Sequence, residues 1–519
     1  NEVLFYGILF FYLAKMGNKQ DLSAPHDDNK TRADRAFGLF TERRILLLLT
    51  LLSIFIRFPF FFRDYIDRDE STFILMGQAW VDGFLPYTFL WDVKPPLTFL
   101  FFASCIYLFG KSFFAIRLIG ALLVALTAFF TYSITLNLSN RKAALFSGIG
   151  CVILLSMFGS IQGVMSEHIL MAIFMAALYL LMLSKNKYRI MLTGIALGIA
   201  LMVKISIAFP ILLLGIYLLF RYYKDEGIVV SVTKMFTLSV SALSIILLTL
   251  LPYYLTGNTQ LWWDSVVLAP LAYTESGRTT ALALIGLCMP ILILVFWGWK
   301  SNRLPLNKME SAVIVVCILG LLISFLKGGR INSHYLIQLY PPLLIVVAAV
   351  LAKELSKIGR KATPWVLGVL FLLPVETYVE YANILKNKIQ KDTFYNGEGF
   401  TVPAYLYENQ LENEKTLFLG YHIGYWVMGK YPPTKAATHP SNICKSEMFP
   451  FYNPERATAL EEVKYIMEEV SPEIIVTRTN RSVFDKKQVQ ENIYFDSILN
   501  ADYRFLDRVD NADIYSSLE

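Results

Sequence analysis

The most constraining feature of this sequence is a series of long apolar runs separated by short polar or basic segments. A membrane-spanning helix needs about 20 predominantly apolar residues. Runs that approach this length lie at 44–62, 113–137, 143–159, 167–184, 189–221, 232–256, 279–299, 311–326, 334–351 and 363–380. Because Lys204 interrupts the run at 189–221, that run is interpreted as two helices, which gives about eleven spans. The predicted fold class is therefore a polytopic α-helical membrane protein.

The amino-acid composition supports the membrane class. Of the 519 residues, 55% are hydrophobic and only 17% are charged, whereas an average soluble chain has about 25% charged residues. Disordered, collagen-like and disulfide-scaffold proteins are thereby excluded. The five cysteines are scattered and show no spacing typical of a disulfide framework or a metal site. The net charge of +6 predicts basic cytoplasmic loops, and no nucleic-acid partner is expected.

Basic clusters between the runs predict the membrane topology. Lysine and arginine concentrate in cytoplasmic loops, so the clusters are assigned to the inner face; they lie at 43–44, 141–142, 185–189, 221–224, 300–303 and 353–361. The apolar stretch Leu97–Phe109 has only about thirteen residues, too few to cross. It is predicted to lie on the outer face after an amphipathic helix at Ser71–Asp82. The loops assigned to the outer face are 63–112, 160–166, the turn at Lys204, 257–278 and 327–333.

The chain is predicted to have three parts. Residues 1–43 form a cytoplasmic segment, residues 44–380 the membrane domain, and residues 381–519 a small extracytoplasmic α/β domain. In the last part, Thr416–Gly420 and Glu473–Thr477 read as strands and Ala459–Val470 as an amphipathic helix. An odd number of spans from an inner N-terminus places this domain outside.

The first fifteen residues are expected not to belong to the native protein, with Met16 as its true start. The apolar stretch Glu2–Leu13 is too short to span a bilayer. It is also not followed by the small-residue cleavage site of a signal peptide.

The first outer loop contains the most concentrated group of candidate site residues. Residues 63–70 read RDYIDRDE and residues 91–97 read WDVKPPL. The candidate site residues in these two segments are Asp69, Glu70, Asp92 and Lys94. Carboxylates beside a lysine that two prolines hold rigid suit a site for an anionic lipid headgroup. The alternative is an ordinary solvated loop.

Two further candidates occur where charge meets apolar sequence. Glu167 and His168 begin a span, where a carboxylate is expensive unless it faces a wet cavity; the alternative is a helix cap formed with Ser166. Lys204 stands in the middle of an apolar run, where it lines a headgroup cavity or else snorkels towards water.

The last outer segment, 327–335, reads KGGRINSHY. Glycines permit close backbone approach to a ligand, and the planar guanidinium of Arg330 suits phosphate. His334 and Tyr335 follow directly as candidate substrate-binding residues, although an isolated histidine is more often structural. Cations and carboxylates from distant loops on one face together imply chemistry on a phosphate-linked group presented from the lipid.

Taken together, these residues resemble the GT-C superfamily of polyprenyl-phosphate-sugar glycosyltransferases, especially its protein O-mannosyltransferase and lipid A aminoarabinose transferase branch. The resemblance extends over most of residues 44–380. Asp69-Glu70 corresponds to the acidic pair of the family's first outer loop, and Asp92 with the Lys94-Pro95-Pro96-Leu97 segment to its acidic, lysine and double-proline signature. The later matches are Glu167, Lys204, the segment Arg330–Pro342 and, in the tail, 420–426 (GYHIGYW) and 429–434 (GKYPPT).

One departure bears on the acceptor. The aminoarabinose transferases place a glutamate directly before the lysine, whereas here Val93 separates Asp92 from Lys94. Lipid A is therefore not supported as the acceptor. The acceptor class remains open between glycan, lipid and protein.

The resemblance implies a membrane glycosyltransferase of the bacterial inner membrane, with its active site on the extracytoplasmic side. The donor is a polyprenyl-phosphate-linked sugar, and membrane lipids surround the protein. Asp69 is assigned as general base, with Glu70 and Glu167 as further catalytic carboxylates. Substrate-binding roles fall to Asp92, Lys94, His168, Lys204, Arg330, His334 and Tyr335. No cofactor is certain, but Asp69 and Glu167 are candidate ligands for a divalent metal cation.

Two other functions fit a charged membrane chain. A lipid or solute transporter or flippase also places charges inside the membrane, although no internal repeat of the kind common in transporters is visible. A non-enzymatic envelope assembly protein could bind a partner through the soluble domain. Only a glycosyltransferase would transfer or hydrolyse sugar from a polyprenyl-phosphate donor.

Overall fold

The structure is a computed structural model of the chain. It describes residues 42–183, 187–275, 281–328, 332–359 and 362–518. The predictions for residues 1–15, for Met16 as the start and for Arg330 lie outside these residues.

The described chain is mostly helical. The helices are α1 (Glu42–Arg57), α2 (Arg68–Val81), α3 (Pro96–Phe109), α4 (Phe113–Leu138), α5 (Arg141–Leu154), α6 (Ser166–Met182), α7 (Lys187–Val203), α8 (Ala208–Glu226), α9 (Ile228–Leu255), α10 (Thr259–Trp263), α11 (Ala269–Glu275), α12 (Ala281–Lys300), α13 (Met309–Gly328), α14 (Leu336–Val350), α15 (Ala352–Lys357), α16 (Thr363–Leu372), α17 (Val375–Lys391), α18 (Glu398–Glu408), α19 (Gly424–Met428), α20 (Phe449–Tyr452), α21 (Ala459–Lys464) and α22 (Val489–Asp502). The strands are β1 (Thr416–Phe418), β2 (Ile474–Arg478), β3 (Tyr503–Val509) and β4 (Ala512–Ser517).

Among the described residues, six helical segments are long and apolar enough to cross a membrane. They are Glu42–Phe62, Phe113–Leu138, Ile205–Glu226, Ile228–Leu255, Met309–Gly328 and Ser333–Val350. Shorter apolar helices lie at Pro96–Phe109, Ser166–Met182 and Ile285–Lys300. The polytopic helical class is therefore confirmed, while the sequence-based number of about eleven spans exceeds the six that meet the length requirement.

The helical break predicted at Lys204 is present. Lys204 has an extended backbone, with φ −153° and ψ 121°, between the end of α7 and a short 3-10 turn at Ile205–Ile207. The apolar run at 189–221 is thus two helices joined at this lysine, which removes a cation from the middle of a continuous span.

The prediction of one membrane span at 363–380 is wrong, because two separate helices occupy this range. Helix α16 ends at Leu372 and α17 begins at Val375, with Pro374 between them. Proline has no N–H to donate to the preceding turn, so the run of helical hydrogen bonds is interrupted there. Helix α17 then crosses the predicted domain boundary at 380/381 and ends at Asp392, whose φ of 53° is left-handed.

The C-terminal part contains a four-stranded sheet in the order β1-β2-β4-β3. Strand β1 pairs with β2 in parallel, and β4 pairs antiparallel with both β2 and β3. The sequence predicted β1, β2 and the helix at Ala459–Val470, which is helical with a π turn after Lys464. The hairpin of β3 and β4 was not predicted, because β3 is mostly exposed and lacks a clear apolar pattern.

Two buried arginines fix the outer loops that surround the site. The Arg57 guanidinium donates hydrogen bonds of 2.7–3.1 Å to the carbonyls of Leu155, Ile161, Gln162 and Gly163. Arg117 on α4 donates to the carbonyl of Phe60 at 2.6 Å and to both carboxylate oxygens of Glu70 at 2.8 and 3.2 Å. A planar donor fork can satisfy several acceptors at once, so each arginine ties together segments that are far apart in the sequence.

The C-terminal part packs directly on the first outer loop and α2. His422 Nε2 lies 3.0 Å from Thr72 Oγ1, and Trp426 Nε1 donates to Gln78 Oε1 at 3.0 Å. The Trp426 ring also meets Phe113 edge-on, at 4.8 Å between centroids. These buried contacts place the C-terminal part against α2 and the start of α4, where it can contribute residues to a shared site.

Candidate active site

Asp67 sets the direction of the first turn of α2. Its carboxylate accepts a hydrogen bond from the Asp69 N–H at 2.8 Å, which is an N-cap interaction, and another from Ser160 Oγ at 2.6 Å. Capping satisfies a backbone donor that has no partner within the helix. The helix therefore starts at Arg68, and Asp69 projects from its first turn.

Asp69 lies between two nitrogen groups from distant parts of the chain. Lys94 Nζ is 3.3 Å from Asp69 Oδ2, and His439 Nε2 is 3.2 Å from Asp69 Oδ1. Burial by itself raises the pKa of Asp69, but the charge of Lys94 and the hydrogen bond from His439 outweigh burial and hold the pKa well below its usual range. The carboxylate is therefore ionised at neutral pH.

The backbone before α3 aims Lys94 at Asp69. The Tyr87 hydroxyl donates to the Lys94 carbonyl at 2.6 Å, and Pro95 and Pro96 then begin the helix. Burial lowers the pKa of Lys94, but the carboxylates of Asp69 and Asp92 outweigh it and hold the pKa well above its usual range. Asp92 is itself buried, and one of its oxygens has no hydrogen-bond partner among the described residues.

A second group of charges lies at the start of α6. Glu167 is fully buried, forms an ion pair with Lys204 and accepts a hydrogen bond from Ser166 Oγ at 3.0 Å. His334 Nε2 is 3.9 Å from Glu167 Oε1, and Lys204 Nζ lies 4.6 Å from the centre of the Tyr335 ring. Three separate membrane segments thus meet at one carboxylate.

His334 and Tyr335 connect the two groups. His334 lines the same cavity as Asp69 and also lies beside Glu167, and the Tyr335 ring lies beside Lys204. The predicted convergence of Asp69, Lys94, Glu167, Lys204, His334 and Tyr335 is therefore present in the structure.

A cavity of about 1240 Å³ opens above Asp69. Its wall consists of the first outer loop, the segment 332–334 and the C-terminal part, and it includes Asp69, His334 and His439. The lining is rich in charged and polar residues, so the cavity suits a hydrated or charged ligand better than an apolar one.

Among the described sequence candidates, only Asp69 and His334 line this cavity, and two of the others, Glu70 and His168, are bonded within the protein. Both carboxylate oxygens of Glu70 are bonded by Arg117, and one also accepts from the Val164 N–H at 2.8 Å. His168 Nδ1 accepts from the Met165 N–H at 3.1 Å, and Nε2 bonds the Leu155 carbonyl at 3.0 Å. Their hydrogen-bonding capacity is used in holding the second outer loop, whereas the sequence predicted a catalytic role for Glu70 and a substrate-binding role for His168.

The proposed metal ligands do not fit a divalent cation. Asp69 and Glu167 are each already paired with a lysine, and an ammonium group occupies the position that a metal ion would need. In the part of the chain that the structure describes, no three histidine, cysteine or carboxylate side chains are grouped for metal binding. No step of the chemistry below is assigned to a metal.

The sequence reasoning missed His439, which lies 370 positions from its partner Asp69. Its ring is oriented by Ser441, whose hydroxyl lies 2.8 Å from Nδ1. The one available signal was a histidine in front of a proline, just after the tail segment that resembles bacterial members of the superfamily. That signal does not indicate which side chain the ring contacts.

Known proteins were compared with the chain by sequence and by fold. Residues 93–253 match the family model described as dolichyl-phosphate-mannose-protein mannosyltransferase. This segment includes Lys94, Glu167 and Lys204 but covers less than half of the chain. No curated protein matches the whole sequence closely enough to be counted as a relative.

Solved structures match over most of the chain. ArnT from Cupriavidus metallidurans bound to undecaprenyl phosphate gives a TM-score of 0.50 at 14% identity, covering 91% of this chain and 97% of ArnT. Its apo form gives 0.51 at 13% identity, with coverages of 94% and 98%. The Archaeoglobus fulgidus oligosaccharyltransferase tethered with an acceptor peptide containing the NVT sequon gives 0.50 at 10% identity, with coverages of 93% and 75%. The chain therefore has the GT-C fold that its sequence resemblance predicted.

Proposed function

We propose that this protein is a membrane glycosyltransferase that moves a sugar from a polyprenyl-phosphate donor to an acceptor hydroxyl. The match of residues 93–253 to a mannosyltransferase family supports the reaction class. The bound undecaprenyl phosphate of the ArnT structure, which shares the fold, supports the donor class. The acceptor peptide of the archaeal enzyme, which shares the fold, supports a second substrate that receives the sugar.

The observation that carries the proposal is the environment of Asp69. An ionised carboxylate lies at the wall of a polar cavity, bonded on one side by Lys94 and on the other by His439. A general base for a hydroxyl needs such a carboxylate within hydrogen-bond reach of the proton that it removes.

In the reaction, the acceptor oxygen forms a bond to the anomeric carbon while the bond from that carbon to the phosphate oxygen breaks. The acceptor proton passes to Asp69, and polyprenyl phosphate leaves with the bonding electron pair. The leaving phosphate is a stable anion, so it needs cations rather than an acid. Lys94 and Lys204 supply them in a site of low dielectric constant.

Lys94 links donor binding to base strength. While it is paired with Asp69, it keeps the pKa of that carboxylate low, which makes Asp69 a weak base. When the ammonium group turns to the donor phosphate, this stabilisation of the carboxylate is lost and the pKa of Asp69 rises. Asp69 then becomes basic only when donor is present.

The other predicted residues have supporting roles. Glu167 positions Lys204 through their ion pair, while His334, Tyr335 and Asp92 line or neutralise the donor site. Arg330 remains a candidate phosphate ligand from the sequence. Glu70 and His168 act on the shape of the outer loops rather than on the substrate.

The proposed location is the bacterial inner membrane, with the active site on the extracytoplasmic side. The membrane domain (44–380) supplies the donor site, and the C-terminal domain (381–519) adds His439. The positions of the basic clusters support this orientation.

A direct assay tests the function. Purified protein in nanodiscs is given undecaprenyl phosphates carrying different radiolabelled hexoses or pentoses, and the release of sugar from lipid is measured. A glycosyltransferase cleaves at least one donor, in transfer or in slow hydrolysis. A transporter, flippase or assembly protein would leave every donor intact, and that result would contradict the proposal.

The natural sugar and acceptor can be identified in cells. Glycans, lipids and proteins of the envelope are compared by mass spectrometry in strains with and without the gene. The expected difference is one sugar residue on one class of acceptor.

A further inference from the structure

Where the C-terminal part of the chain forms the cavity wall, an arginine side chain lies between two tyrosine rings. The guanidinium of Arg478, the last residue of β2, lies 5.2 Å from the ring centre of Tyr65 and 5.4 Å from that of Tyr421. Arg478 Nη2 also donates to the Tyr65 hydroxyl at 2.8 Å. Its Nε is buried without a hydrogen-bond partner among the described residues. The group is thus positioned by neutral partners, and part of its donor capacity is unused.

The carboxylates that line this cavity are already engaged. Glu380 accepts from the amides of Asn383 and Asn396 at 3.0 and 3.2 Å, and Glu398 accepts from the Asn511 amide at 2.8 Å. Asp64 accepts backbone hydrogen bonds, one of them from Gly399. Asp67 and Asp69 have the partners given above.

Three arginines share the cavity wall with these carboxylates. Arg68, Arg478 and Arg481 all line the cavity. Within the described part of the chain, none of the three forms an ion pair with a carboxylate. The guanidinium donors of these arginines are therefore not taken up by a carboxylate of the protein, which leaves them able to bind an anionic ligand.

The backbone at Gly420 and Tyr421 packs against the side chain of Arg478 and helps to fix its position. Tyr421 has a φ of 57°, a left-handed conformation that is rare for a bulky residue and that concentrates at functional sites. A Cβ atom on the neighbouring Gly420 would lie only 2.8 Å from Arg478 Cγ. Glycine at 420 thus lets the arginine side chain pass against the backbone.

The arginine wall is close to the reacting carboxylate. The Tyr65 ring, which holds Arg478, is 6.2 Å from the His422 ring, and His422 is 6.1 Å from His439, the partner of Asp69. The polyprenyl chain of the donor lies in the hydrocarbon of the membrane. The donor phosphate must therefore stay close to the membrane, where Lys94 and Lys204 bind it in the proposed mechanism. Arg478 belongs to the soluble domain and is therefore placed for the other substrate.

We propose that Arg478, with Arg68 and Arg481, forms a subsite for an anionic group, phosphate or carboxylate, on the acceptor. This proposal rests on the proposed function. Arginine recognises either anion through its planar fork of donors. The acceptor would carry the anion near the hydroxyl that Asp69 deprotonates, either on a soluble glycan or on a membrane lipid headgroup.

A binding experiment tests the subsite without requiring catalysis. Dissociation constants of glucose 6-phosphate and of glucose are measured by ligand-detected NMR with the full-length protein in phosphatidylcholine nanodiscs. Wild type is expected to bind the phosphate about tenfold more tightly, as one charge-assisted contact implies. Arg478→Gln and Arg481→Gln should each reduce this preference to about twofold or less.

The matched control is Arg504→Gln, which changes an exposed arginine of β3 outside the cavity and should keep the full preference. Equal binding of both sugars by wild type, or a folded Arg478→Gln protein that keeps the preference, would overturn the proposal. Should Arg478→Gln fail to fold, retention of the preference by Arg481→Gln overturns it instead. Because no turnover is measured, failure here is distinct from failure of the transferase assay.

A change of lipid separates the two sources of the anion. If phosphatidylglycerol in the nanodisc competes with glucose 6-phosphate, a lipid headgroup reaches the subsite. If glucose 6-phosphate binds equally in both nanodiscs, the anion belongs to a soluble acceptor. Each outcome retains the subsite and assigns its ligand.

Discussion

At the scale of single residues, Asp69 and Glu70 are sequence neighbours with opposite environments. The Asp69 side chain is 20% exposed and faces the cavity, whereas the Glu70 side chain is 1% exposed and is bound by Arg117. Asp69→Asn keeps the shape of the side chain but cannot accept the proton. We expect transfer to fall by about 10²–10⁴-fold, with the unfolding temperature nearly unchanged.

Glu70→Gln is the matched comparison, and the expected result is the reverse. Removing the charge leaves Arg117 buried and unpaired, which costs about 3–5 kcal/mol of stability. Thermal unfolding and sugar transfer are measured for both variants. An active Asp69→Asn enzyme would remove Asp69 from the mechanism, and an unchanged unfolding temperature in Glu70→Gln would contradict its structural role.

Lys94→Ala should affect binding and turnover together. The donor phosphate is present in both the ground state and the transition state, so the variant should raise KM and lower kcat. The loss of a charge-assisted contact predicts a fall of about 10–100-fold in kcat/KM. Lys308→Ala, at an exposed loop position, is the control and should match wild type. Wild-type kinetics in Lys94→Ala would refute its contact with phosphate.

At the scale of structural elements, Asp64 joins the first outer loop to α18. Its buried carboxylate accepts a hydrogen bond from the Gly399 N–H, and burial raises the pKa of Asp64 to about 7. The unfolded value is about 3.9. Between these two values the folded protein holds a proton that the unfolded chain has lost. This contribution to stability therefore falls as pH rises from about 4 to about 7.

The measurement is the unfolding temperature of wild type and Asp64→Asn between about pH 5 and about pH 8. Asparagine cannot ionise, so the variant should lack the decrease that wild type shows as pH approaches 7. Asp485→Asn, at an exposed position, should retain it. Parallel curves for wild type and Asp64→Asn would show that Asp64 does not titrate in this range.

Elements differ in how well local sequence predicts them. The break at Lys204 was predicted because a charged residue interrupts an apolar run, and the structure has an extended residue there. The break at Pro374 was missed, since the run at 363–380 was judged by hydrophobicity, although proline gave a local signal. The hairpin of β3 and β4 depends on pairing with β2, which local patterning does not encode.

At the scale of the whole molecule, the site and the soluble domain should lie on the same side of the membrane. Ser482→Cys lies in the soluble domain and Ser301→Cys in a loop predicted to be cytoplasmic, and both positions are exposed. In a background with Cys444 replaced by serine, a membrane-impermeant maleimide should label Ser482→Cys in intact spheroplasts. Ser301→Cys should react only after lysis. Labelling of Ser301→Cys in intact cells would reverse the topology.

The sequence by itself determined the membrane class, the approximate positions of the apolar helices and the candidate charges Asp69, Lys94, Glu167 and Lys204. These features could be predicted because the lipid bilayer constrains each segment of the chain separately. Apolar length and the cost of placing charge in hydrocarbon act on each segment separately, so they can be read from a single run. For the same reason Lys204 and Glu167 stand out as candidates within their own apolar runs.

Only the tertiary structure decided which charges meet. Asp69 and Glu70 look equivalent in sequence, yet packing against Arg117 makes Glu70 part of the framework and leaves Asp69 beside the cavity. His439 reaches Asp69 from 370 positions away, because the C-terminal part of the chain packs on α2. Such contacts depend on how distant elements pack, and no local period, propensity or hydrophobic run specifies that packing.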